Sequence, residues 1–157
     1  IIVKHRLGFI CANAGIDHSN VGLDGDLSEN HVLLLPKDPD SSAQDICFRL
    51  KKLLNKDIGV MIIDSHGRPW RKGVVGISIG YSGVPGLIDQ RGKKDRNNYT
   101  LKITEIAAGD ELAAAASLMM GQTAEGRPIV AIKGFPYEFK AGNHYELIRP
   151  DNEDLFR

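Results

Sequence analysis

The chain has 157 residues, of which 42% are hydrophobic and 25% are charged. A chain of this length and composition can bury a sizeable core, so the sequence predicts a single folded domain over residues 1–157 and argues against disorder. Twenty basic and twenty acidic residues give a formal net charge of zero. That balance argues against the strong positive field that non-specific binding to nucleic acid or to a membrane surface requires.

Cysteine usage and the length of the apolar runs predict a cytoplasmic protein. Cys11 and Cys47 show neither a CxxC pair nor zinc-ligand spacing, so we expect two reduced, partly buried thiols, with a disulfide between them as the alternative. No apolar run reaches the roughly eighteen residues of a membrane span, and residues 1–6 do not resemble a signal peptide. Because the chain opens on Ile1 without a methionine, we expect a fragment of a longer protein.

Short strands and a helix are predicted in the first half of the chain. The apolar run at residues 31–35 stops at Pro36 and predicts a buried strand. Residues 41–55 have apolar side chains at helical spacing, and Asp40 is the predicted N-cap. The apolar run at residues 58–63 predicts a buried strand that places Asp64 at its carboxyl end, where ligand-binding groups of α/β folds usually lie.

The second half continues this alternation. Further strands are predicted at residues 74–81, 99–106 and 128–133, which together indicate a mixed sheet. An alanine-rich helix is predicted from Ala108 to Met120, ending at Gly121, and its small side chains permit close approach by another element or subunit. The polar loop at residues 122–128 offers backbone amides and Arg127 to a phosphate.

Two segments place a carboxylate among small polar groups in glycine-bounded loops, GIDHSN at residues 15–20 and DSHGRPWR at residues 64–71. Mg²⁺ and Mn²⁺ prefer oxygen ligands and readily share substrate phosphates, so this pattern predicts a divalent-cation site for phosphoryl transfer. The structural alternative for Asp17 is the capping of a turn. Asp64 is the stronger candidate, because a carboxylate that ends a buried strand is costly unless it is paired, capped or bound to metal.

Arg68 and Arg71 are the predicted catalytic residues. Each offers a planar fork of donors to a carboxylate or a phosphate. The structural alternative is a salt bridge to Asp64 or Asp89.

Three separated blocks resemble the gamma-glutamyl ligases of deazaflavin coenzyme F-420 biosynthesis. They are GFICANAGIDHSN at residues 8–20, DSHGRPWR at residues 64–71, and TEIAAGDELAAAA at residues 104–116, which continues to MGQ at residues 120–122. The blocks occur in the family's order, and the resemblance extends from Gly8 to about Gly134.

The resemblance implies a GTP-dependent ligase. The γ-phosphoryl group of GTP would pass to a carboxylate of the deazaflavin precursor, and the amine of L-glutamate would attack the resulting acyl phosphate. Asp17 and Asp64 would bind one divalent cation, Mg²⁺ or Mn²⁺, and Ser65 and Gln122 would help to bind a second. The resemblance leaves a requirement for K⁺ open. The residues that it assigns to GTP are Asn20, Met120, Gly121, Gln122, Thr123, Ala124, Glu125, Gly126 and Arg127.

The fold that the resemblance implies is α+β, with mixed, largely antiparallel, intertwined sheets and two main helices, assembled as a homodimer whose interface borders the site. The family also has an N-terminal region with further nucleotide contacts, which this chain does not contain. Two alternatives stay open from the sequence. One is the same chemistry on another carboxylic acid, and the other is a non-catalytic module for nucleotide binding or dimerisation.

Overall fold

The computed structural model describes residues 1–21 and 31–155. Within them the fold is α+β, with two α-helices and four two-stranded sheets, each of them antiparallel. The strands are β1 Ile2–Lys4, β2 Ile10–Ala12, β3 Ile16–Asp17, β4 Leu33–Leu34, β5 Val60–Arg68, β6 Arg71–Ser82, β7 Ile88–Asp89 and β8 Glu105–Ile106. The helices are α1 Pro39–Leu54 and α2 Ala108–Met120, and 3₁₀ turns span Asn13–Gly15 and His144–Leu147.

The hairpin of β5 and β6 is the centre of the fold, because both helices and the β1–β2 hairpin pack on it. Its two faces differ in side-chain size. Gly76 and Gly80 of β6 are small enough for the helices to approach the backbone closely. A Cβ at position 76 would lie 2.5 Å from the Ser117 Cβ of α2, and one at position 80 would lie 2.6 Å from the Pro39 Cβ of α1. The helices therefore cover the glycine face of this hairpin.

The opposite face carries the apolar core. Side chains alternate between the two faces of a strand, so Ile77 and Ile79 point away from the glycine face of β6. Ile79 joins a buried cluster with Leu7, Phe9 and Cys11, which lie in or beside the β1–β2 hairpin, and Ile77 packs against that cluster. The β5–β6 hairpin thus forms the middle layer between two helices and the β1–β2 hairpin.

An aspartate in the first turn of each helix accepts a backbone amide of β6. Asp40 Oδ1 accepts from Tyr81 N at 2.9 Å, and Asp110 Oδ1 accepts from Ser78 N at 3.0 Å. The strand register shifts at Ile62/Ile63, opposite the segment between these two amides. The carboxylates therefore satisfy amide groups of a strand that, among residues 1–21 and 31–155, pairs with β5 alone.

The contact of Asp40 with β6 corrects the predicted helix cap. Asp38, not Asp40, is the N-cap of α1, since its Oδ1 accepts from Ser41 N at 2.9 Å and Pro39 occupies the first turn. The helix accordingly begins before the predicted residue 41. Its C-cap is Asn55, which adopts a left-handed conformation at φ 51°.

Several strand predictions were wrong in extent. β5 continues through Asp64 to Arg68, so Asp64 lies within a strand, and the predicted loop at residues 64–71 is a strand followed by a hairpin turn. Of the strand predicted at residues 99–106 only Glu105–Ile106 forms, and residues 128–133 form no strand. The strand predicted as buried at residues 31–35 is reduced to Leu33–Leu34, whose residues are 60% and 66% exposed.

The alanine-rich helix was predicted correctly, from Ala108 to Met120, with Gly121 as its C-cap at φ 81°. Cys11 and Cys47 are both free and both buried, so no disulfide joins them in the structure. In the described part of the chain, no helix has the length and apolar character needed to cross a bilayer.

Candidate functional site

Asp64 lies on the face of β5 that is turned toward the β1–β2 hairpin. It is the register partner of Ile77, and directly opposed residues of an antiparallel pair project to the same face. Burial raises the pKa of Asp64 above its ordinary value of 3.8, and the nearby Asp17 carboxylate raises it further. The Ser65 amide and the ring of His66 act in the opposite direction. The ionised form of Asp64 is therefore incompletely compensated.

Asp17 reaches the same place from the other hairpin. It ends β3, directly after the 3₁₀ turn Asn13–Gly15, in which Ala14 has a left-handed φ of 55°. A tight turn of this kind redirects the chain as it leaves β2, and it brings the Asp17 carboxylate close enough to raise the pKa of Asp64. A partly buried carboxylate beside a second carboxylate favours a bound cation. The first predicted pair, Asp17 and Asp64, is thus brought together.

Two histidines border this pair. His66 Nε2 donates to the Ile10 carbonyl at 2.6 Å, which ties β5 to β2, and the His66 ring meets the edge of Phe9. The His5 ring stacks with Phe9, with ring centroids 5.3 Å apart, and His5 is among the groups that act to lower the pKa of Asp64. Sequence reasoning missed His5 because no spacing links it to residue 64.

Ser65 points to the opposite, helix-covered face of β5. Its register partner is Gly76, and a Cβ at position 76 would meet Ser117 of α2. Gln122 Nε2 in turn donates to Ser117 Oγ at 2.9 Å. The second predicted pair, Ser65 and Gln122, therefore lies on the same side of the β5–β6 hairpin, and the alternation of a β-strand separates it from the Asp17–Asp64 pair.

The loop after α2 contacts the Asp17 segment. Asn20 Nδ2 donates to the Thr123 carbonyl at 3.0 Å, although the two residues are far apart in sequence. The Glu125 carboxylate accepts from Thr123 N at 2.8 Å and from Thr123 Oγ1 at 3.2 Å, and these donors lower the pKa of Glu125. The predicted nucleotide-binding residues Asn20 and Thr123 are thus joined directly. The remainder of that prediction, Ala124, Glu125, Gly126 and Arg127, is exposed beside them, while Met120 and Gly121 are half-buried.

The two arginines predicted as catalytic lie at the turn of the β5–β6 hairpin, where Arg68 ends β5 and Arg71 begins β6. Arg68 Nη2 donates to the Gly73 carbonyl at 3.2 Å, at the turn of its own hairpin, while Arg68 Nε is buried without a hydrogen-bond partner. Arg71 is exposed and is the register partner of Arg68. The proposed salt bridge of an arginine from this segment to Asp89 does not form, because Asp89 pairs with Arg91 at 2.6 Å.

The donor atoms fit a hard divalent cation. Among residues 1–21 and 31–155, no three Asp, Glu, His or Cys side chains gather closely enough to hold a metal ion. A cation between Asp17 and Asp64 therefore needs further oxygen ligands from hydroxyl, amide, water or phosphate groups. Mg²⁺ and Mn²⁺ at phosphoryl-transfer sites commonly combine one or two carboxylates with such ligands.

The sequence model of one protein family, F420-0:gamma-glutamyl ligase, matches residues 1–134 and includes every predicted site residue. The chain belongs to this family. Curated relatives named coenzyme F420:L-glutamate ligase are 48% identical in Methanococcus maripaludis, 46% in Methanocaldococcus jannaschii and 41% in Archaeoglobus fulgidus. Each match covers 100% of this chain but only 60% of the relative, so the chain spans somewhat more than half the length of these proteins.

Proposed function

We propose that this chain forms part of a GTP-dependent ligase that joins L-glutamate by an amide bond to the carboxylate of a deazaflavin coenzyme precursor. The family match and the name shared by the relatives support the glutamate and the coenzyme precursor as substrates. The observation that carries the proposal is that contacts link three distant segments of the chain. Asp17 acts on the pKa of Asp64, and Asn20 bonds to Thr123 of the loop after α2. The Gln122–Ser117 contact lies on the Ser65 face of the β5–β6 hairpin, opposite the face of the Asp17–Asp64 pair.

The proposed reaction has two steps. The precursor carboxylate attacks the γ-phosphorus of GTP, which forms an acyl phosphate and releases GDP. The amine of L-glutamate then attacks the acyl carbon, loses a proton, and displaces inorganic phosphate. The acyl phosphate is needed because a carboxylate itself has a poor leaving group for amide formation.

Each segment has a separate role in this scheme. Asp17 and Asp64 would hold one divalent cation, and Ser65 and Gln122 would help to hold the other. Bound Mg²⁺ or Mn²⁺ neutralises phosphoryl oxygens as charge redistributes during transfer.

The loop from Met120 to Arg127 would contact GTP together with Asn20. Glu125 shapes this loop by holding the amide and hydroxyl of Thr123. Arg68 and Arg71 would offer cationic donors to a carboxylate or phosphate of the substrates.

The proposal includes a homodimer. Support comes from large apolar side chains that this chain alone leaves exposed, including Leu33 at 60%, Leu118 at 84% and Ile129 at 86%. Such surfaces are typical of interfaces. Light scattering on the full-length natural protein checks the assembly, and a monomeric mass would remove this part of the proposal.

The direct test is a turnover assay on the full-length natural protein. GDP release should require the deazaflavin precursor, L-glutamate and Mn²⁺ or Mg²⁺ together, with K⁺ varied separately. If GDP release occurred with a different carboxylic acid and not with the deazaflavin precursor, that acid would be the acceptor and the proposed ligase chemistry would stand. Nucleotide binding without turnover on any acceptor would contradict the ligase.

A further inference from the structure

A buried serine of α2 contacts the side chain of a predicted cation ligand. Ser117 is 8% exposed and lies in the last turn of the helix. Its Oγ accepts a hydrogen bond from Gln122 Nε2 at 2.9 Å, across the helix C-cap at Gly121. Neither the helical periodicity nor the composition of α2 distinguishes Ser117 from the small residues around it.

This hydrogen bond defines which end of the Gln122 amide is available. A glutamine side chain has a nitrogen that only donates and an oxygen that only accepts. Since the nitrogen is bound to Ser117, the oxygen is left to accept from, or coordinate, another group. A cation requires that oxygen and is repelled by the nitrogen end.

The packing of Ser117 also determines where the Gln122 amide is anchored. The Cβ of Ser117 lies against Gly76 of β6, at 2.5 Å from the position that a Cβ of residue 76 would take. Gly76 is the register partner of Ser65. The anchor is therefore held beside the face of β5 from which the Ser65 hydroxyl projects.

We propose that Ser117 is a positioning residue that fixes the Gln122 amide with its Oε1 presented on the Ser65 side of the β5–β6 hairpin, as a ligand for a divalent cation. The inference rests on the proposed function, because it assumes that Gln122 is a cation ligand. Ser117 itself does not touch the cation. Groups that orient metal ligands commonly contribute about 10- to 100-fold to metal affinity.

The test is Mn²⁺ binding to the full-length natural protein, measured by electron paramagnetic resonance of free Mn²⁺. Ser117→Ala should weaken the weaker of the two Mn²⁺ sites by about 10- to 100-fold and leave the thermal midpoint nearly unchanged, since alanine fits beside Gly76 and favours a helix. The matched control is Ser42→Ala, which removes another helix serine, bonded to the Asp38 carbonyl at 2.9 Å, far along the chain from the site. The control should not change Mn²⁺ binding.

A double-mutant cycle separates positioning from independent effects. If Ser117 acts through Gln122, then Ser117→Ala should have no further effect on Mn²⁺ affinity in a Gln122→Ala background. Additive losses, or unchanged Mn²⁺ affinity in Ser117→Ala alone, would overturn the inference. The proposed function fails separately, if Asp64→Asn leaves Mn²⁺ binding intact.

Discussion

Two partly buried aspartates, Asp40 and Asp64, differ in how completely their charges are satisfied. Asp40 accepts from Tyr81 N at 2.9 Å, from His144 Nδ1 at 2.6 Å and from His144 N at 3.2 Å. The Asp17 carboxylate repels the ionised form of Asp64, and the hydrogen bond from the Ser65 amide is the main interaction that stabilises that form. A fully bonded carboxylate stabilises a fold, whereas an under-compensated one beside a second carboxylate is available for a cation.

His144, the hydrogen-bond partner of Asp40, shows which parts of the fold this carboxylate connects. His144 is 4% exposed, and its Nε2 faces the Leu7 carbonyl at 3.0 Å while Nδ1 faces Asp40. The two ring nitrogens therefore face oxygen atoms from two different parts of the chain. This contact joins α1, the β1–β2 hairpin and the segment beyond residue 134, where the family match ends. Asp40 therefore links three parts of the fold.

The largest expected effect is on stability. Asp40→Ala should lower the free energy of unfolding by about 3–5 kcal/mol, because it leaves the Nδ1 of the buried His144 and the amides of Tyr81 and His144 without their acceptor. Urea denaturation of the full-length natural protein measures the change. Mn²⁺ affinity of the folded fraction should stay the same. A loss below about 1 kcal/mol, the level of an exposed ion pair, would contradict the structural role of Asp40.

At the candidate site, Asp64→Asn should weaken Mn²⁺ binding without lowering stability, which is the reverse of the result expected for Asp40→Ala. Asp64→Asn removes a charge without changing volume, so Mn²⁺ affinity should fall on the order of 100-fold or more, at least the scale that outer-shell residues reach. The metal-free protein should be no less stable than the wild type, since repulsion from Asp17 is removed. Calorimetric Mn²⁺ titration together with thermal unfolding checks both. Unchanged affinity with a large stability loss would make Asp64 a structural residue like Asp40.

A smaller loss of stability is expected when the neighbouring Asp38 is replaced. Asp38→Ala removes only the N-cap of α1, so it should cost about 1 kcal/mol. Helix content and urea unfolding provide the measurement. If Asp38→Ala proved as costly as Asp40→Ala, the difference between a helix cap and a carboxylate with several buried hydrogen bonds would not hold here.

The smallest effect is the pH dependence of the metal-free protein. The folded-state pKa of Asp64 is raised above its ordinary 3.8, so the folded state binds more protons than the unfolded chain between those two values. The contribution of Asp64 to stability therefore falls as pH rises through that window. Between about pH 3.5 and pH 7, the free energy of unfolding measured in urea should decrease more for the wild type than for Asp64→Asn. Parallel pH profiles would show that Asp64 is not under-compensated.

Local signals in the sequence predicted local structure well. The bounds of α2 follow from its composition and from Gly121. The error at α1 was avoidable, because a proline in the first turn favours the residue before it, Asp38, as the N-cap. The end of β5 was misjudged because the apolar run stops at Ile63, whereas pairing with β6 carries the strand on to Arg68.

The candidate site depends on contacts that spacing does not encode. The local residue pattern was enough to predict that the Asp17 and Asp64 segments form a cation site, whereas Gln122 was assigned only through the family resemblance. Ser117 and His144 carry no sequence signal of their own. Their roles appear only when a helix end or a later segment is brought against β6.

A crystal structure of the full-length natural protein with Mn²⁺ and a non-hydrolysable GTP analogue, recorded at the manganese absorption edge, would test the cation site at Asp17 and Asp64. We expect an anomalous peak between the Asp17 and Asp64 carboxylates, in contact with the nucleotide phosphates. Manganese bound to the phosphates elsewhere, with both carboxylates free of it, would show that these aspartates do not form the cation site.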